Sequence, residues 1–168
     1  MLVKRIVCTV EAHQRGSFHM AQMEWAALRT VEGFIAQLGG WDTSDASIAY
    51  IYSFWENRDY YEDFMENIHD EIFSHSNQIA SYTSIKVVLF QGMASRTAIN
   101  DWLRNCSFIE TNVIDCGEVN ERFGGTLLFF DSTGRTLLLT DRKIGGTSQG
   151  TVSDTKETFK VTEAWGVY

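Results

Sequence analysis

The chain has 168 residues, which corresponds to one domain or to a small domain with an appendage. Hydrophobic residues make up 44% and charged residues 21%, so the sequence is typical of a soluble globular protein with a normal core. Fourteen Lys and Arg against 22 Asp and Glu give a formal net charge of −8. A chain this acidic lacks the general positive field that attracts phosphate backbones, so we expect no nucleic-acid partner.

No segment of the sequence is predicted to enter a membrane or to direct export. The apolar runs are shorter than the roughly 18 residues of a membrane helix, and the first 13 residues are typical of a strand rather than of a secretion signal. Cys8, Cys106 and Cys116 are widely separated and lack metal-binding or redox spacing, so we expect buried, reduced thiols. These features predict a cytoplasmic protein with no membrane partner.

The first 91 residues carry the patterns of four strands and two helices. The first helix is predicted from apolar residues spaced four and three apart, and the second from a longer apolar stripe that follows a capping Asn57. Alternating or β-branched segments predict the strands. The elements, in order, are a strand at 2–11, a helix from Ser17 to about residue 30, strands at 33–41 and 47–55, a helix after Asn57, and a strand at 84–91.

The order β-α-β-β-α-β predicts a ferredoxin-like α+β fold, in which a four-stranded antiparallel sheet carries both helices on one face. The other face of such a sheet is uncovered. The third strand has apolar or aromatic side chains on both of its faces, so something must pack there. We expect a homodimer in which two sheets meet face to face.

The pattern changes after Gln91, and we predict a second domain at 92–168, a small α+β extension to the ferredoxin-like domain at 1–91. Segment 143–155 is polar and glycine-rich, which is typical of a mobile loop, although its backbone amides could also bind an anion. The predicted elements of the extension are a helix at 95–106, a strand at 107–116, a hairpin of 126–130 with 135–139, and a strand at 158–165.

Two segments of the first domain resemble a known superfamily. They are EGFIAQLGGWD at 32–42 and AYIYSFWENRDYYEDFMENIHDEIF at 49–73, with a Trp at the end of the third strand and an aromatic-rich helix that has His near its end. About the first 91 residues are similar to dimeric α/β-barrel proteins of the antibiotic-biosynthesis-monooxygenase type, and within it to a bacterial branch known only as a domain of unknown function. The resemblance implies a ferredoxin-like domain that forms a dimeric α/β barrel.

The resemblance also implies candidate site residues. Cofactor-free members of the superfamily bind a phenolic polycycle with a strand-three Trp and a nearby Tyr, and a basic group removes a proton so that oxygen reacts with the carbanion. Trp55 and Tyr61 stand at the first two positions, while His69 and His75 are the available bases, because no Arg ends the second helix. The haem-degrading branch uses a strand-one Asn and a helix Trp. Here the strand lacks Asn and the helix has Phe64, so we expect no haem.

The residues themselves leave two interpretations open. Trp55, Tyr61 and Phe64 can line a slot for a flat substrate or simply fill a core. His69 and His75 are six residues apart, about 240° of helical rotation, so they do not form a two-histidine metal site; each is a candidate catalytic base or an ordinary surface residue. We predict no cofactor and no metal.

Two functions follow from these observations. The first is binding of a small aromatic molecule, with cofactor-independent monooxygenation of an aromatic or quinol-type substrate as the reaction. The second is a non-enzymatic homodimer with a ligand-binding, stress or regulatory role, in which the aromatic residues only pack. An open cavity beside Trp55, with a polar group facing it, would favour the first function.

Overall fold

The computed structural model describes residues 1–104, 106–114, 126–141 and 157–168. The strands are β1 Leu2–Thr9, β2 Phe34–Asp42, β3 Ile48–Trp55, β4 Ser84–Gln91, β5 Phe108–Ile114, β6 Thr126–Phe130, β7 Thr136–Asp141 and β8 Glu157–Val161. The α-helices are α1 Arg15–Glu24, α2 Arg58–Asn67, α3 His69–Ser76 and α4 Arg96–Leu103. The predicted loop at 143–155 and Cys116 lie outside the described residues.

The strands belong to one antiparallel sheet that closes into a barrel. Their order around the barrel is β1-β3-β2-β8-β5-β7-β6-β4, so β1 to β4 form one half and β5 to β8 the other. On one side β8 pairs with β2, where Asp42 lies opposite Phe159. On the other side β6 meets β4 at the single pair Gln91 and Phe130. The boundary predicted at residue 91 therefore falls between strands of one continuous sheet.

The barrel corrects one expectation from the sequence. The α+β class and the antiparallel sheet are confirmed. The sheet face that we expected to pack against a second chain is instead covered by β5 to β8 of the same chain. The sequence predicts an uncovered face on the sheet of β1 to β4 because local periodicity does not show which distant strands pair with it. A homodimer would have to use another surface of the molecule.

The interior of the barrel is the largest hydrophobic core of the described residues. Its fully buried members come from both halves of the sheet, which explains why the third strand is apolar on both faces: one face lines the barrel and the other lies under the helices. The members with no exposed surface are Val3, Ala36, Leu38, Tyr52, Phe54, Ile99, Ile109, Phe129, Leu137 and Phe159.

One ion pair lies within this interior. The Arg5 guanidinium pairs with the Glu157 carboxylate and donates to the Tyr52 hydroxyl at 3.1 Å, and Thr111 donates to Glu157 at 3.0 Å. Arg5 belongs to β1 and Glu157 to β8, so the pair links the two halves of the barrel. Because Arg5 is buried, the Glu157 carboxylate stabilises its positive charge.

Two helices differ from their predicted limits. The first starts at Arg15 rather than Ser17 and continues after Glu24 as a 3₁₀ helix at Trp25–Thr30. The second begins after Asn57 as predicted, with the Asn57 side chain accepting from the Tyr60 amide at 3.0 Å. It is interrupted at Ile68, whose φ of −128° is not helical, so α2 and α3 are separate helices.

The approach of β2 to β8 requires a glycine in β2. A Cβ atom on Gly40 would lie 1.8 Å from the Lys160 carbonyl oxygen, a distance that real atoms do not reach. The predicted strand at 158–165 is shorter than expected, because β8 ends at Val161 and a 3₁₀ turn follows at Glu163–Trp165. This turn places Trp165 against Phe18 of α1, with ring centroids 5.6 Å apart.

The described thiols fit the expectation of buried structural cysteines. Cys8 is fully buried and Cys106 is half-buried, and neither forms a disulfide. Burial raises the pKa of each thiol to about 12, so both are protonated at neutral pH. Among the described residues, no helix is both long and apolar enough to cross a membrane.

Candidate functional site

A cavity of about 320 Å³ lies between the sheet and helices α1 to α3. Side chains of β1 to β4 form its floor, and residues of the helices and the segments after them form its walls. Ile85 and Val87 of β4, which are largely exposed, lie at its rim. The remaining lining residues are Lys4, Ile6, Gln22, Trp25, Leu28, Gln37, Ile51, Ser53, Trp55, Tyr61, Phe64, Met65, His69, Phe73, Gln78 and Tyr82.

Three aromatic residues form one wall of the cavity: Trp55, Tyr61 and Phe64, here called the aromatic wall. The Trp55 indole ends β3, and the other two rings come from the buried side of α2, where they are three residues apart. The Trp55 ring lies 4.8 Å from Phe64 at 31° and 5.7 Å from Tyr61 at 69°. The rings pack on one another and leave the cavity open beside them. All three residues that the sequence predicts to bind substrate line this cavity.

Three polar residues cross the floor of the cavity: Lys4 on β1, Ser53 on β3 and Gln37 on β2, here called the polar row. Lys4 is paired with Ser53 and Ser53 with Gln37 in the strand register, so their side chains lie on the same face at the same level. All three are buried. Ser53 accepts a hydrogen bond from the Trp55 indole at 3.2 Å, which connects the row to the aromatic wall.

Lys4 is the charged group of the polar row, and it is 9% exposed. Its ammonium lies 5.5 Å from the centre of the Tyr61 ring, a cation–π contact. In the described part of the chain it forms no ion pair and no hydrogen bond. Burial lowers the pKa of Lys4 from 10.5 to about 8, because the charged form is poorly solvated there.

Two glutamine amides also face the cavity without a partner. Gln37 of the polar row is 4% exposed and Gln22 of α1 is 2% exposed. The Nε2 atom of each is buried and has no hydrogen-bond acceptor among the described residues. Buried amide groups are nearly always paired in folded proteins, so these two donors leave a place in the cavity for an acceptor from water or from a ligand.

His69 lines the cavity as the first residue of α3. Its ring stacks on Phe73, with centroids 5.7 Å apart at 13°, and lies 5.6 Å from Trp25 and 5.7 Å from Phe64. Its Nδ1 atom is 2.9 Å from the Asp70 carboxylate. Of the two histidines predicted as bases, His69 is thus the one that lines the cavity.

His75 lies elsewhere. It lines a separate groove between α3 and the 3₁₀ segment, together with Glu24, Glu71 and Ile72. The structure therefore brings His69 to the aromatic wall and leaves His75 outside the cavity. Both histidines lie on α3, so their separation follows from the six-residue spacing, which turns them to different sides of the helix.

The sequence interpretation missed the polar row and Gln22. The sequence contains a pattern that could have predicted the row. Lys4 stands between Leu2 and Ile6 on one face of β1, and Gln37 is a polar residue within the otherwise apolar β2. A single polar residue on the buried face of a strand is unusual, because an unpaired buried polar group is destabilising. The three positions become one feature only once the strand register is known.

The ionisable groups that line the cavity are Lys4, His69, Tyr61 and Tyr82. Burial raises the pKa of both tyrosines, so their phenols are neutral at physiological pH. Within the part of the chain that the structure describes, no Asp or Glu lines the cavity, although the whole chain has 22 of them. Among the described residues, no three His, Cys, Asp or Glu side chains are grouped as a metal site.

The fold places the chain in a structural class. Its structure is similar to a protein of Lactobacillus acidophilus NCFM that is provisionally assigned as a monooxygenase, with a TM-score of 0.58, 9% identity, and coverage of 98% of this chain and 79% of that one. It is also similar to a provisionally assigned monooxygenase of Fusobacterium nucleatum, with a TM-score of 0.57 and 12% identity. This match covers 98% of this chain and 77% of that one. At these identities the similarity concerns the fold alone, which this chain shares with proteins provisionally assigned as monooxygenases.

A third solved structure covers almost the whole of both chains. This protein, TA0507, is provisionally assigned as a chlorite dismutase, and it matches with a TM-score of 0.57 and 10% identity over 98% of this chain and 96% of its own. The C-terminal strands are therefore part of the shared fold.

The chain belongs to the family described as domain of unknown function DUF4937, whose family model matches residues 2–90. A relative from Bacillus subtilis (strain 168), the uncharacterized protein YdbC, is 41% identical over 107 residues, which cover 62% of this chain and 88% of the relative. The residues that line the cavity lie between positions 4 and 87, within the matched range. The family match therefore includes the complete candidate site.

Proposed function

We propose that this protein binds a small, flat, largely aromatic molecule in the cavity beside the aromatic wall. The observation that carries this proposal is an open space of about 320 Å³ that combines an apolar wall with polar groups lacking partners. Small-molecule sites have this composition, and their volumes start at roughly 300 Å³. A protein in which these aromatic residues served only as core would have the space filled.

The reaction we propose is cofactor-independent monooxygenation of an aromatic or quinol-type substrate. His69 is its base, since it is the predicted histidine that lines the cavity. It would take a proton from the substrate, and the resulting electron-rich anion would react directly with oxygen. The structural neighbours provisionally assigned as monooxygenases support this choice of reaction. The second candidate is a ligand-binding protein with a stress or regulatory role and no catalytic activity.

We propose that a single chain is the binding unit. The barrel closes within one chain, so the site needs no residue from a second copy, and a homodimer stays a prediction about another surface. A cytoplasmic location is also part of this proposal. The free thiols of Cys8 and Cys106 support it, because unpaired cysteines are usual in reducing compartments.

Ligand binding is tested with 2-naphthamide, a neutral two-ring aromatic compound, by isothermal titration calorimetry. We expect saturable binding by the unchanged protein. Ile6→Phe should weaken it at least about tenfold, because Ile6 lines the cavity from β1 and a larger ring there fills the space.

The matched control for this test is Ala27→Phe. Ala27 lines the groove that holds His75, so the same added ring should leave naphthamide binding unchanged. Equal loss in both variants, or no binding by the unchanged protein, would contradict the proposed site.

The reaction is tested by oxygen uptake with naphthalene and anthracene hydroquinones. His69→Ala should reduce the rate about 100-fold or more, the usual contribution of a general base, and His75→Ala should retain it. The pair is matched, because both substitutions remove one imidazole from α3. Naphthamide binding without any oxygen uptake would favour the non-enzymatic function, and equal rates in the two variants would exclude His69 as the base.

A further inference from the structure

The charge balance of the cavity indicates the kind of ligand it accepts. Its ionisable side chains are Lys4 from β1, His69 from α3, and the phenols of Tyr61 and Tyr82 from α2 and from the segment before β4. The carboxylate in contact with one of them is that of Asp70. It is exposed to solvent and lies 2.9 Å from His69 Nδ1. Lys4 therefore has no counter-ion within the described residues, although a buried cation normally has one.

At neutral pH the Lys4 amine is mostly charged. With a pKa of about 8, about nine-tenths of it is protonated at pH 7. A buried ammonium in this state would be stabilised by an anion placed beside it. The alternative role of Lys4, as a neutral amine that attacks a carbonyl group, would need a lower pKa to be effective at neutral pH.

The polar atoms that lack partners around Lys4 are donors. They are Nε2 of Gln37, which is two strands away at the same level of the sheet, and Nε2 of Gln22 on the helix above. The ammonium and these two amide nitrogens are donors without an acceptor among the described residues. Such a set fits a group with several lone pairs and a negative charge, and a carboxylate has both.

We propose that the cavity binds an aromatic carboxylate, whose rings lie against the aromatic wall and whose carboxylate lies between Lys4 and Gln37. This inference rests on the proposed function, because it uses the same cavity, and it adds a charged group to the aromatic ligand. A carboxylate rather than a simple phenol is expected, since a carboxylate is ionised at neutral pH and a phenol with a pKa near 10 is not.

The test compares three probes of the same shape: 2-naphthoate, 2-naphthamide and 2-naphthol, by isothermal titration calorimetry at pH 7. We expect naphthoate to bind at least about tenfold more tightly than naphthamide, because a hydrogen bond from an ammonium to a carboxylate is stronger than one to a neutral acceptor. Lys4→Met should remove this preference by weakening naphthoate more than naphthamide, and an unchanged circular dichroism spectrum shows that the variant is folded.

The matched control variant is Lys86→Met. Lys86 is an exposed lysine of the adjacent strand β4, it does not line the cavity, and its replacement changes the net charge by the same amount. The preference for naphthoate should persist in this variant. Its loss in both variants would show a general charge effect and would overturn the assignment to Lys4.

The unchanged protein provides a second test that does not depend on any substitution. Naphthoate affinity should fall as the pH rises through about 8, where Lys4 loses its proton, while naphthamide affinity stays constant. His69→Gln should leave this midpoint in place, and a midpoint that disappears with His69 would assign the charge to the histidine instead.

The outcomes also separate this inference from the proposed function. If naphthamide binds and naphthoate binds no better, the carboxylate proposal is wrong and the aromatic site stands. If a Lys4-dependent preference is found for naphthol and not for naphthoate, the carboxylate proposal is likewise wrong. If none of the three probes binds, the proposed function itself fails.

Discussion

Replacing Phe159 with alanine should lower the free energy of unfolding by about 3–5 kcal/mol, the usual cost of removing a buried phenylalanine ring. Phe159 is fully buried on β8. Its ring stacks on Tyr52 with centroids 5.7 Å apart at 8°, and lies 5.4 Å from Tyr50. Both tyrosines belong to β3, so the ring joins the C-terminal strands to the N-terminal half of the barrel. Chemical denaturation followed by circular dichroism and by tryptophan fluorescence measures the change.

The control for this prediction is Phe130→Ala. Phe130 is 48% exposed on β6, so its removal should change the free energy of unfolding by less than about 1 kcal/mol. Both spectroscopic signals should report one shared transition, since β8 pairs with strands of both halves. Two separate transitions, with the Phe159 effect confined to one, would show that segments 1–91 and 92–168 unfold as independent domains.

Replacing Lys4 with methionine should raise the free energy of unfolding by about 3 kcal/mol at pH 7. The pKa of Lys4 falls from 10.5 in the unfolded chain to about 8 in the folded protein. Each unit of such a shift corresponds to about 1.4 kcal/mol. Methionine has a similar length and no charge, so it removes this cost and keeps the packing on Tyr61. The gain in stability accompanies the loss of carboxylate binding, which is common where a site contains an unfavourable buried group.

The pH dependence distinguishes this effect from better packing. Between about pH 8 and 10.5 the unfolded chain binds the Lys4 proton more strongly than the folded protein does, so the stability of the unchanged protein rises with pH. The advantage of Lys4→Met should therefore be complete below pH 8 and decrease above it. Lys86→Met should show no such decrease. A constant difference, or a less stable Lys4 variant, would contradict the prediction.

The N-terminal part of the fold could be predicted from local patterns. Alternation in 47–55 and the capped apolar stripe after Asn57 are short-range signals, and the corresponding elements β3 and α2 form at the predicted places. The interruption at Ile68 could not be predicted in the same way, because the apolar spacing continues through it without a Pro or Gly.

The closure of the barrel could not be predicted because it depends on pairing between distant segments. Asp42 and Phe159 are opposite each other in β2 and β8, more than one hundred residues apart. The C-terminal strands were recognised individually from their alternation, but alternation does not name a partner strand. Gly40 allows the close approach of β2 to β8, and no local pattern shows that a second strand lies there.

The candidate site was predictable in its apolar half. The aromatic residues at 55, 61 and 64 follow from strand-end and helical spacing together with the family resemblance, and all three line the cavity. The polar half depends on the lateral register of β1, β3 and β2, which brings Lys4, Ser53 and Gln37 to one level. The spacing of the two histidines predicts that they lie on different sides of α3, but it does not show which side is turned to the cavity.

The closure of the barrel by a single chain also sets the stoichiometry of binding. A barrel made of two identical chains carries two symmetry-related crevices, and occupation of one can alter the affinity of the other. Here the lining residues of the cavity come from positions 4 to 87, and β5 to β8 contribute none of them. For the proposed ligand we therefore expect one molecule bound per chain with a hyperbolic isotherm, and we expect substitutions in β5 to β8 to leave its contacts unchanged as long as the barrel stays closed.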